Sequence, residues 1–188
     1  MTRVELADIE GVFLQAGMVS TDSRGSFIKF FERDNYKPLG FYPHLNSLAL
    51  STNTAEGTVR GLHFQSPPYE EEKVITCLQG MIFEVIVDLR PGSQTVGRWA
   101  AFEVGDAEPI TLCLPKGIAH GYQTLTPGVK ILYGLSSEFS QEHSYSLNYA
   151  DEKLKVRWPL PVRQISEKDS KGVSLKEALE LVSVNSKP

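Results

Sequence analysis

The sequence predicts a mainly β protein, an antiparallel β-sandwich or jelly roll with one short helix near the C-terminus. Many short runs rich in β-branched and aromatic residues alternate with glycine- and proline-containing turns, which is typical of this class. A helical pattern is clear only late in the chain. The 188 residues suit one domain with a sizeable core, and no repeat or linker divides them, so we predict a single domain over residues 1–188.

Strands are predicted at intervals along most of the chain. Residues 4–14, broken at Gly11, fit a first edge strand. Residues 22–25 are typical of a turn, and an aromatic-rich strand is predicted directly after them. An irregular connection is expected over residues 32–42. The later extended runs are residues 44–51, 73–78, 81–88, 99–104, 110–114 and 129–134.

Residues 73–78 and 81–88 form the clearest pair of strands. Gln79-Gly80 lies between them and predicts a two-residue hairpin loop. The second run is almost entirely apolar, which predicts a strand that is buried on both faces.

The one clear helix is predicted over residues 174–182. Ser174 and Glu177 fit a capping box at its start. Leu175, Leu179 and Val182 recur on one face, as the helical period requires.

Composition excludes several classes of partner. The net charge of −4 gives no basic field, so nucleic acid is not expected as a partner. No apolar run is long enough to span a membrane, and residues 1–8 lack the apolar segment of a secretory signal. Cys77 and Cys113 lie inside apolar runs and are interpreted as buried thiols of a cytoplasmic protein rather than as a disulfide.

Two glycine-containing stretches concentrate the side chains that could carry chemistry. In residues 58–65, Arg60 and His63 stand among apolar residues, and Gly61 marks a bulge or a close backbone approach. An arginine suits phosphate, and a histidine titrates near neutral pH. In residues 115–125, His120 lies between glycines. An anionic substrate and a proton transfer are one interpretation; a solvated arginine beside a core histidine is the other.

The residues favour an acid/base site over the other catalytic classes. The four histidines are isolated from one another, so no metal site and no cofactor are predicted. A nucleophile elbow and a glycine-rich phosphate loop are both missing from the sequence. A histidine base would need a carboxylate to hold its tautomer, for which Asp169 is one candidate, although a loop or capping role fits it too.

Tyr133 and Lys73 are further candidates for such a site. Tyr133, at a strand end, could donate a proton or simply pack in the core. Lys73 could stabilise a developing enolate oxygen or end a strand in solvent. Arg24 and Arg60 could clamp phosphates.

An ordered set of motifs resembles the dTDP-4-dehydrorhamnose 3,5-epimerase family. The set comprises Arg60-Gly61-Leu62-His63-Phe64-Gln65, residues 87–90, residues 117–122, Trp158-Pro159 and residues 165–169, preceded by an Asp-x-Arg-Gly turn at residues 22–25. The resemblance covers most of the chain, from about residue 22 to residue 169. It implies a cupin-like jelly roll that works without a metal, usually as a homodimer with an exchanged N-terminal strand. The implied substrate is a nucleotide-diphosphate-linked 4-keto-6-deoxyhexose.

The same resemblance implies a role for each candidate residue. His63 corresponds to the base that removes protons α to the keto group, Asp169 to its orienting partner, and Tyr133 to the acid on the opposite face. The remaining correspondences are Lys73 for the enolate, Arg24 and Arg60 for the diphosphate, and His120 as a further pocket residue.

The chain departs from the family pattern at three places. Residues 48–50 are Leu-Ala-Leu where a Gln-x-Asn patch is frequent, Lys29 replaces a glutamate, and Phe139 replaces a tyrosine. These departures concern the nucleotide and the number of inverted centres, so a single-centre 3- or 5-epimerase, or one acting on another nucleotide-linked 4-keto sugar, fits as well. Three further alternatives are a 3,4-ketoisomerase, a non-catalytic sugar-nucleotide-binding cupin and a metal-dependent cupin oxygenase.

Overall fold

The computed structural model describes residues 4–6 and 8–185, and the expectation about a signal in residues 1–8 therefore lies partly outside the described residues. The strands are β1 (Val4–Leu6), β2 (Phe13–Ala16), β3 (Met18–Asp22), β4 (Gly25–Lys29), β5 (Ser47–Asn53), β6 (Val59–Gln65), β7 (Lys73–Gln79), β8 (Met81–Asp88), β9 (Trp99–Gly105), β10 (Ile110–Leu114), β11 (Ile118–Thr124), β12 (Val129–Leu135) and β13 (Ser144–Ser146). The helices are α1 (Glu167–Ser170) and α2 (Leu175–Asn185), and two short 3₁₀ turns cover Arg33–Asn35 and Lys37–Leu39.

Two antiparallel sheets make up the body of the described chain. One has six strands in the order β1-β2-β10-β7-β12-β5, and the other has five in the order β13-β6-β11-β8-β9. Strands β3 and β4 form a separate two-stranded hairpin. The predicted mainly β jelly roll with a C-terminal helix is confirmed.

The main hydrophobic core lies between the two sheets. Strand β8 shows how the sequence builds it, because side chains alternate between the two faces of a strand. Ile82 and Ile86 belong to the core between the sheets. Val85 and Val87 belong to a second cluster on the outer face of the five-stranded sheet, where Leu175, Ala178 and Val182 of α2 pack. The predicted burial of this strand on both faces is thus confirmed.

The predicted hairpin at Gln79-Gly80 is wrong. Strands β7 and β8 belong to different sheets, so the turn between them is a corner that passes the chain from one sheet to the other. Gly80 has φ of +80°, and a Cβ there would lie 2.6 Å from Thr126 Oγ1. A tight glycine turn permits a hairpin as well as a corner, and the long-range partners of each strand decide between them.

Other boundaries also differ from the prediction. Residues 4–14 contain two strands, β1 and the start of β2, joined by a turn with Gly11 at φ of +73°. Strands β3 and β13 and the short helix α1 were not predicted, because three to five residues are too few to show a clear period. Strand β11 was not predicted either, although residues 115–125 were singled out for their glycines and His120. Helix α2 is confirmed, and its capping box is formed by Ser174 and Glu177.

Gly61 confirms the predicted close backbone approach in β6. A Cβ at this position would lie 2.6 Å from the carbonyl oxygen of His120 and 2.8 Å from the Cα of Gly121 on the neighbouring strand β11. The β6–β11 register shifts between His120 and Tyr122. The two strands therefore touch closely where His63 and His120 stand opposite each other.

Both cysteines are buried free thiols, as predicted. No helix among the described residues is long and apolar enough to cross a membrane.

Candidate active site

A cavity of about 600 Å³ opens between the two sheets. The five-stranded sheet contributes Arg60, His63 and His120 to its wall, and the six-stranded sheet contributes Lys73 and Tyr133. The segment around α1 closes one side of the cavity and contributes residues that include Gln164, Ser166, Lys168 and Asp169. Six of the seven predicted site residues therefore share one cavity.

His63 and Asp169 form a close pair at this wall. His63 Nε2 lies 2.7 Å from Asp169 Oδ1, although the residues are 106 positions apart in the chain. Asp169 is held in place by α1, which begins where the hydroxyl of Ser166 accepts a hydrogen bond from the Asp169 N–H at 3.0 Å. That hydroxyl satisfies a backbone donor left open at a helix start.

The Asp169 carboxylate accepts two further hydrogen bonds. Ser146 Oγ donates to Oδ1 at 2.7 Å, and the Gly61 N–H donates to Oδ2 at 3.2 Å. Burial by itself would raise the pKa of Asp169, but the hydrogen bonds from His63, Ser146 and Gly61 outweigh it and hold that pKa below its ordinary value. Because the ionised carboxylate only accepts, His63 carries its proton on Nε2 and leaves Nδ1 as the nitrogen with a lone pair.

Tyr133 lies on the opposite wall from His63. Strand β12 places it in the six-stranded sheet, beside His120, with the two ring centroids 6.0 Å apart. Burial, together with the nearby Tyr122 and Glu84, raises the pKa of the Tyr133 phenol well above its ordinary value. The phenol therefore keeps its proton at neutral pH.

Lys73 is almost fully buried at the start of β7, and not in solvent. Its Nζ lies 3.0 Å from Oε1 of Glu71, which also lines the cavity. A buried ammonium needs a partner, and Glu71 supplies it.

Arg60 is held by a neighbour in the six-stranded sheet. Its Nε donates to Asn53 Oδ1 at 2.8 Å, and the hydroxyl of Tyr122 donates to the same oxygen at 3.3 Å. Lys168 adds a further cationic side chain to the cavity wall. The cations at the wall make the cavity suited to an anionic ligand.

Arg24 lies apart from the other predicted site residues. It stands at the turn of the β3–β4 hairpin, with 88% of its side chain exposed and Nη2 2.6 Å from Asp22 Oδ2. It borders a shallow surface depression formed by the hairpin itself.

Several residues of the site were missed by sequence reasoning. They are Asn53, Glu71, Glu84, Ser146 and Lys168. Lys168 stands inside a motif that the family resemblance already highlighted, and Glu71 stands two positions from Lys73, so a signal was present for these two. Glu84 interrupts an apolar strand, which is itself a sign of a buried polar role.

Among the described residues, no group of three or more histidine, cysteine, aspartate or glutamate side chains is arranged to hold a metal ion. The arrangement that is present consists of a histidine with an ionised partner on one wall and a protonated tyrosine with a paired lysine on the other. Such groups can remove a proton from one face of a bound molecule and return it to the other.

The protein is a jelly roll in which acid/base side chains face one another across the interior. Fold and site together place it in the class of cupin-like isomerases. The sequence model for dTDP-4-dehydrorhamnose 3,5-epimerase matches residues 6–177, which is most of the chain. The chain belongs to the dTDP-4-dehydrorhamnose 3,5-epimerase family.

Individual relatives agree with this assignment. The chain is 37% identical over 161 residues to a dTDP-4-dehydrorhamnose 3,5-epimerase of Sinorhizobium fredii, covering 83% of this chain and 80% of that one. It is 29% identical to a dTDP-4-dehydrorhamnose 3-epimerase of Streptomyces niveus, covering 94% of this chain and 85% of that one. The crystal structure of the Bacillus anthracis 3,5-epimerase, with TDP and PPi bound, superposes with a TM-score of 0.88 at 30% identity, covering 93% of this chain and 99% of that one.

Proposed function

We propose that the protein inverts carbon centres α to the keto group of a nucleotide-linked 4-keto-6-deoxyhexose, of the kind dTDP-4-dehydro-6-deoxyglucose, through an enolate. The observation that carries this proposal is the 2.7 Å contact between His63 and the ionised Asp169, on the cavity wall that faces Tyr133. Family membership supports the same reaction.

The proposed roles follow from where the side chains stand. His63, with Nε2 committed to Asp169, takes the α proton on Nδ1, and the Asp169 carboxylate stabilises the imidazolium that forms. Tyr133, on the facing sheet, returns a proton to the opposite face of the enolate.

Two further roles concern charge rather than proton transfer. The C4 carbonyl acidifies the neighbouring C–H bonds, and the negative charge that develops on its oxygen is stabilised by the Lys73 ammonium. Arg60, which is oriented by Asn53, binds the diphosphate. We expect Arg60→Ala to raise KM much more than it lowers kcat, and unchanged substrate affinity would exclude this role.

A single-centre epimerase is the second candidate function. Phe139 lines the cavity with 74% of its surface exposed, and it lacks the hydroxyl that a tyrosine would add to the pocket. A relative that matches most of the chain is a 3-epimerase.

The test is solvent deuterium incorporation into dTDP-4-keto-6-deoxyglucose, followed by NMR, with His63→Ala as the control. Label at both C3 and C5 that is lost in the variant supports the 3,5-epimerase, and label at one centre supports the single-centre enzyme. A relocated carbonyl in the product would identify a 3,4-ketoisomerase. Binding of the sugar nucleotide without any label at either carbon would contradict both epimerase assignments.

We also propose that the active form is a homodimer in which the β3–β4 hairpin reaches the partner subunit. The hairpin is separate from both sheets, and it exposes Val19 and 69% of Phe27 beside the turn that carries Arg24. Large exposed apolar side chains on a hairpin that pairs with neither sheet favour a protein partner.

A cytoplasmic location is also proposed, because Cys77 and Cys113 are buried free thiols, as a reducing compartment would keep them.

A further inference from the structure

The carboxyl group of Glu84 is buried at the back of the cavity wall. Strand β8 directs it into the sandwich, where none of its surface is exposed. Its Oε1 lies 2.7 Å from Nδ1 of His120, and its Oε2 has no hydrogen-bond partner among the described residues. His120 itself lines the cavity.

Among the described residues, no lysine or arginine forms an ion pair with this carboxyl. The charge of Lys73 acts on it, but the Lys73 ammonium is itself paired with Glu71 at 3.0 Å. The other titratable groups near Glu84 and His120 include His63 on β6, Cys77 on β7, Tyr122 on β11 and Tyr133 on β12. An ionised carboxylate with a bare buried oxygen and no counter-charge is costly, whereas a carboxylic acid leaves only a neutral carbonyl oxygen unpaired.

We infer that Glu84 is a carboxylic acid that donates its proton to Nδ1 of His120, so that His120 presents Nε2–H to the cavity as a fixed donor. The contact itself requires one proton between Oε1 and Nδ1. If the acid supplies that proton, the neutral ring must carry its own proton on Nε2. An apolar site can keep a carboxyl group protonated near neutral pH, so that it serves as a hydrogen-bond donor.

The titration behaviour agrees with the geometry. Burial raises the pKa of Glu84 well above its ordinary value, and Lys73 opposes that rise only in part. Burial, with Lys73 and His63 nearby, lowers the pKa of His120 well below its ordinary value. The two histidines of the cavity thus have opposite characters. His63 offers a lone pair because its partner Asp169 is ionised, and His120 offers a proton because its partner is not.

Glu84 is therefore a positioning residue that acts through His120. Together with Lys73, His120 would supply a second donor on the cavity wall, suited to an oxygen that gains negative charge. This catalytic consequence rests on the proposed function, whereas the protonation state of the pair does not.

The protonation state is tested by NMR of the substrate-free protein labelled with ¹⁵N-histidine, with His120→Asn used to assign the signal. We expect His120 to carry a proton on Nε2 and an unprotonated Nδ1, with no change from about pH 6 to about pH 9. A His120 ring that lacks a proton on Nε2 near neutral pH would overturn the inference, whether or not the protein turns over any sugar nucleotide.

Two variants of Glu84 test its positioning role. Glu84→Gln keeps an N–H donor for Nδ1 of His120. Glu84→Leu removes the donor, and its apolar side chain can be accommodated in a buried site. We expect Glu84→Leu to shift the Nδ1 signal of His120, because the hydrogen bond to Nδ1 is lost, and to lower kcat about 10- to 100-fold with little change in KM, and Glu84→Gln to leave both nearly unchanged. An unchanged His120 spectrum in folded Glu84→Leu would overturn the role.

Discussion

At the scale of single residues, the environment decides what each titratable group can do. Asp169 and Glu84 are both buried carboxyls within 2.7 Å of a histidine nitrogen, yet they are pushed in opposite directions. Asp169 receives further hydrogen bonds from Ser146 and Gly61, which stabilise its charge. Glu84 has one oxygen without a partner among the described residues, so its charge is not stabilised. Burial raises the pKa of both carboxyls, and the hydrogen bonds to Asp169 reverse that rise, whereas Glu84 lacks such bonds.

Removal of the Tyr133 hydroxyl tests the proposed general acid. We expect Tyr133→Phe to lower kcat on the order of 100- to 10,000-fold, because a positioned proton donor contributes about that much. Tyr149→Phe is the matched control, since Tyr149 packs against Trp158 and is not among the residues that line the cavity. Steady-state kinetics measures both variants, and equal rates for wild type and Tyr133→Phe would rule the role out.

Acid sensitivity tests the depressed pKa of Asp169. A carboxyl with a lowered pKa in the folded state stabilises that state above its ordinary pKa of about 3.9, and this contribution is lost as the pH falls towards the folded-state value. We therefore expect wild type to lose more unfolding free energy than Asp169→Asn between about pH 6 and about pH 3. Urea denaturation at each pH measures the free energy of unfolding, and Asp8→Asn, at an exposed position, is the control. Parallel losses in wild type and Asp169→Asn would contradict the assignment.

At the scale of elements, the contact between β6 and β11 sets the geometry of the site. These strands bring His63 and His120 into register, and Gly61 lets their backbones approach where any side chain would collide. The β6 backbone also donates from the Gly61 N–H to Asp169, so the same residue links the strand to α1. A single glycine thus supports both the strand pairing and the contact between His63 and Asp169.

Substitution at Gly61 tests this close approach. Gly40→Ala is the matched control, because Gly40 also has positive φ, at +78°, but nothing lies within 4 Å of its added Cβ. The control should cost about 1 to 2 kcal/mol for backbone strain alone. Gly61→Ala should cost about 3 kcal/mol or more, since its Cβ would meet the backbone of β11. Thermal unfolding compares them, and equal losses in the two variants would show that steric contact at Gly61 is unimportant.

Sequence patterns predicted the elements better than their pairing. The strands from β5 to β10, strand β12 and the capping box at Ser174 follow from local periodicity and turn chemistry, and they are where the pattern predicted them within a few residues. The hairpin at Gln79-Gly80 was wrong because a turn does not reveal which distant strand each arm will join. For the same reason, Ser146 was missed as a partner of Asp169, since its role arises only from a contact made in the folded state.

At the scale of the whole molecule, Arg24 stands apart from the site that the family resemblance assigns to it. The single chain places it on an outlying hairpin, ion-paired with Asp22 and away from the cavity that holds the other six predicted site residues. The proposed homodimer reconciles the outlying position of Arg24 with its predicted role in the site, because a hairpin exchanged between subunits can carry Arg24 to the cavity of the partner.

Mixed dimers test this exchange. Arg24→Ala and His63→Ala are each expected to be nearly inactive, but dimers formed by mixing them would contain one intact site if Arg24 works in the partner subunit. Random reassociation of a twofold dimer would then restore about a quarter of the wild-type activity. The measurement is turnover after joint refolding, with light scattering to establish the dimer. Activity that stays at the level of the separate variants would contradict the exchange, and a fully active Arg24→Ala variant would place Arg24 outside the reaction.

The 106-residue separation between His63 and Asp169 has a consequence for synthesis of the protein. During translation, the strand that carries the histidine emerges long before the helix that carries its carboxylate. Until Asp169 has left the ribosome, the imidazole has no ionised partner to hold its tautomer, even if both sheets have already paired. A chain that ended before Asp169 would therefore lack the partner that we propose for His63, and completion of α1 supplies it.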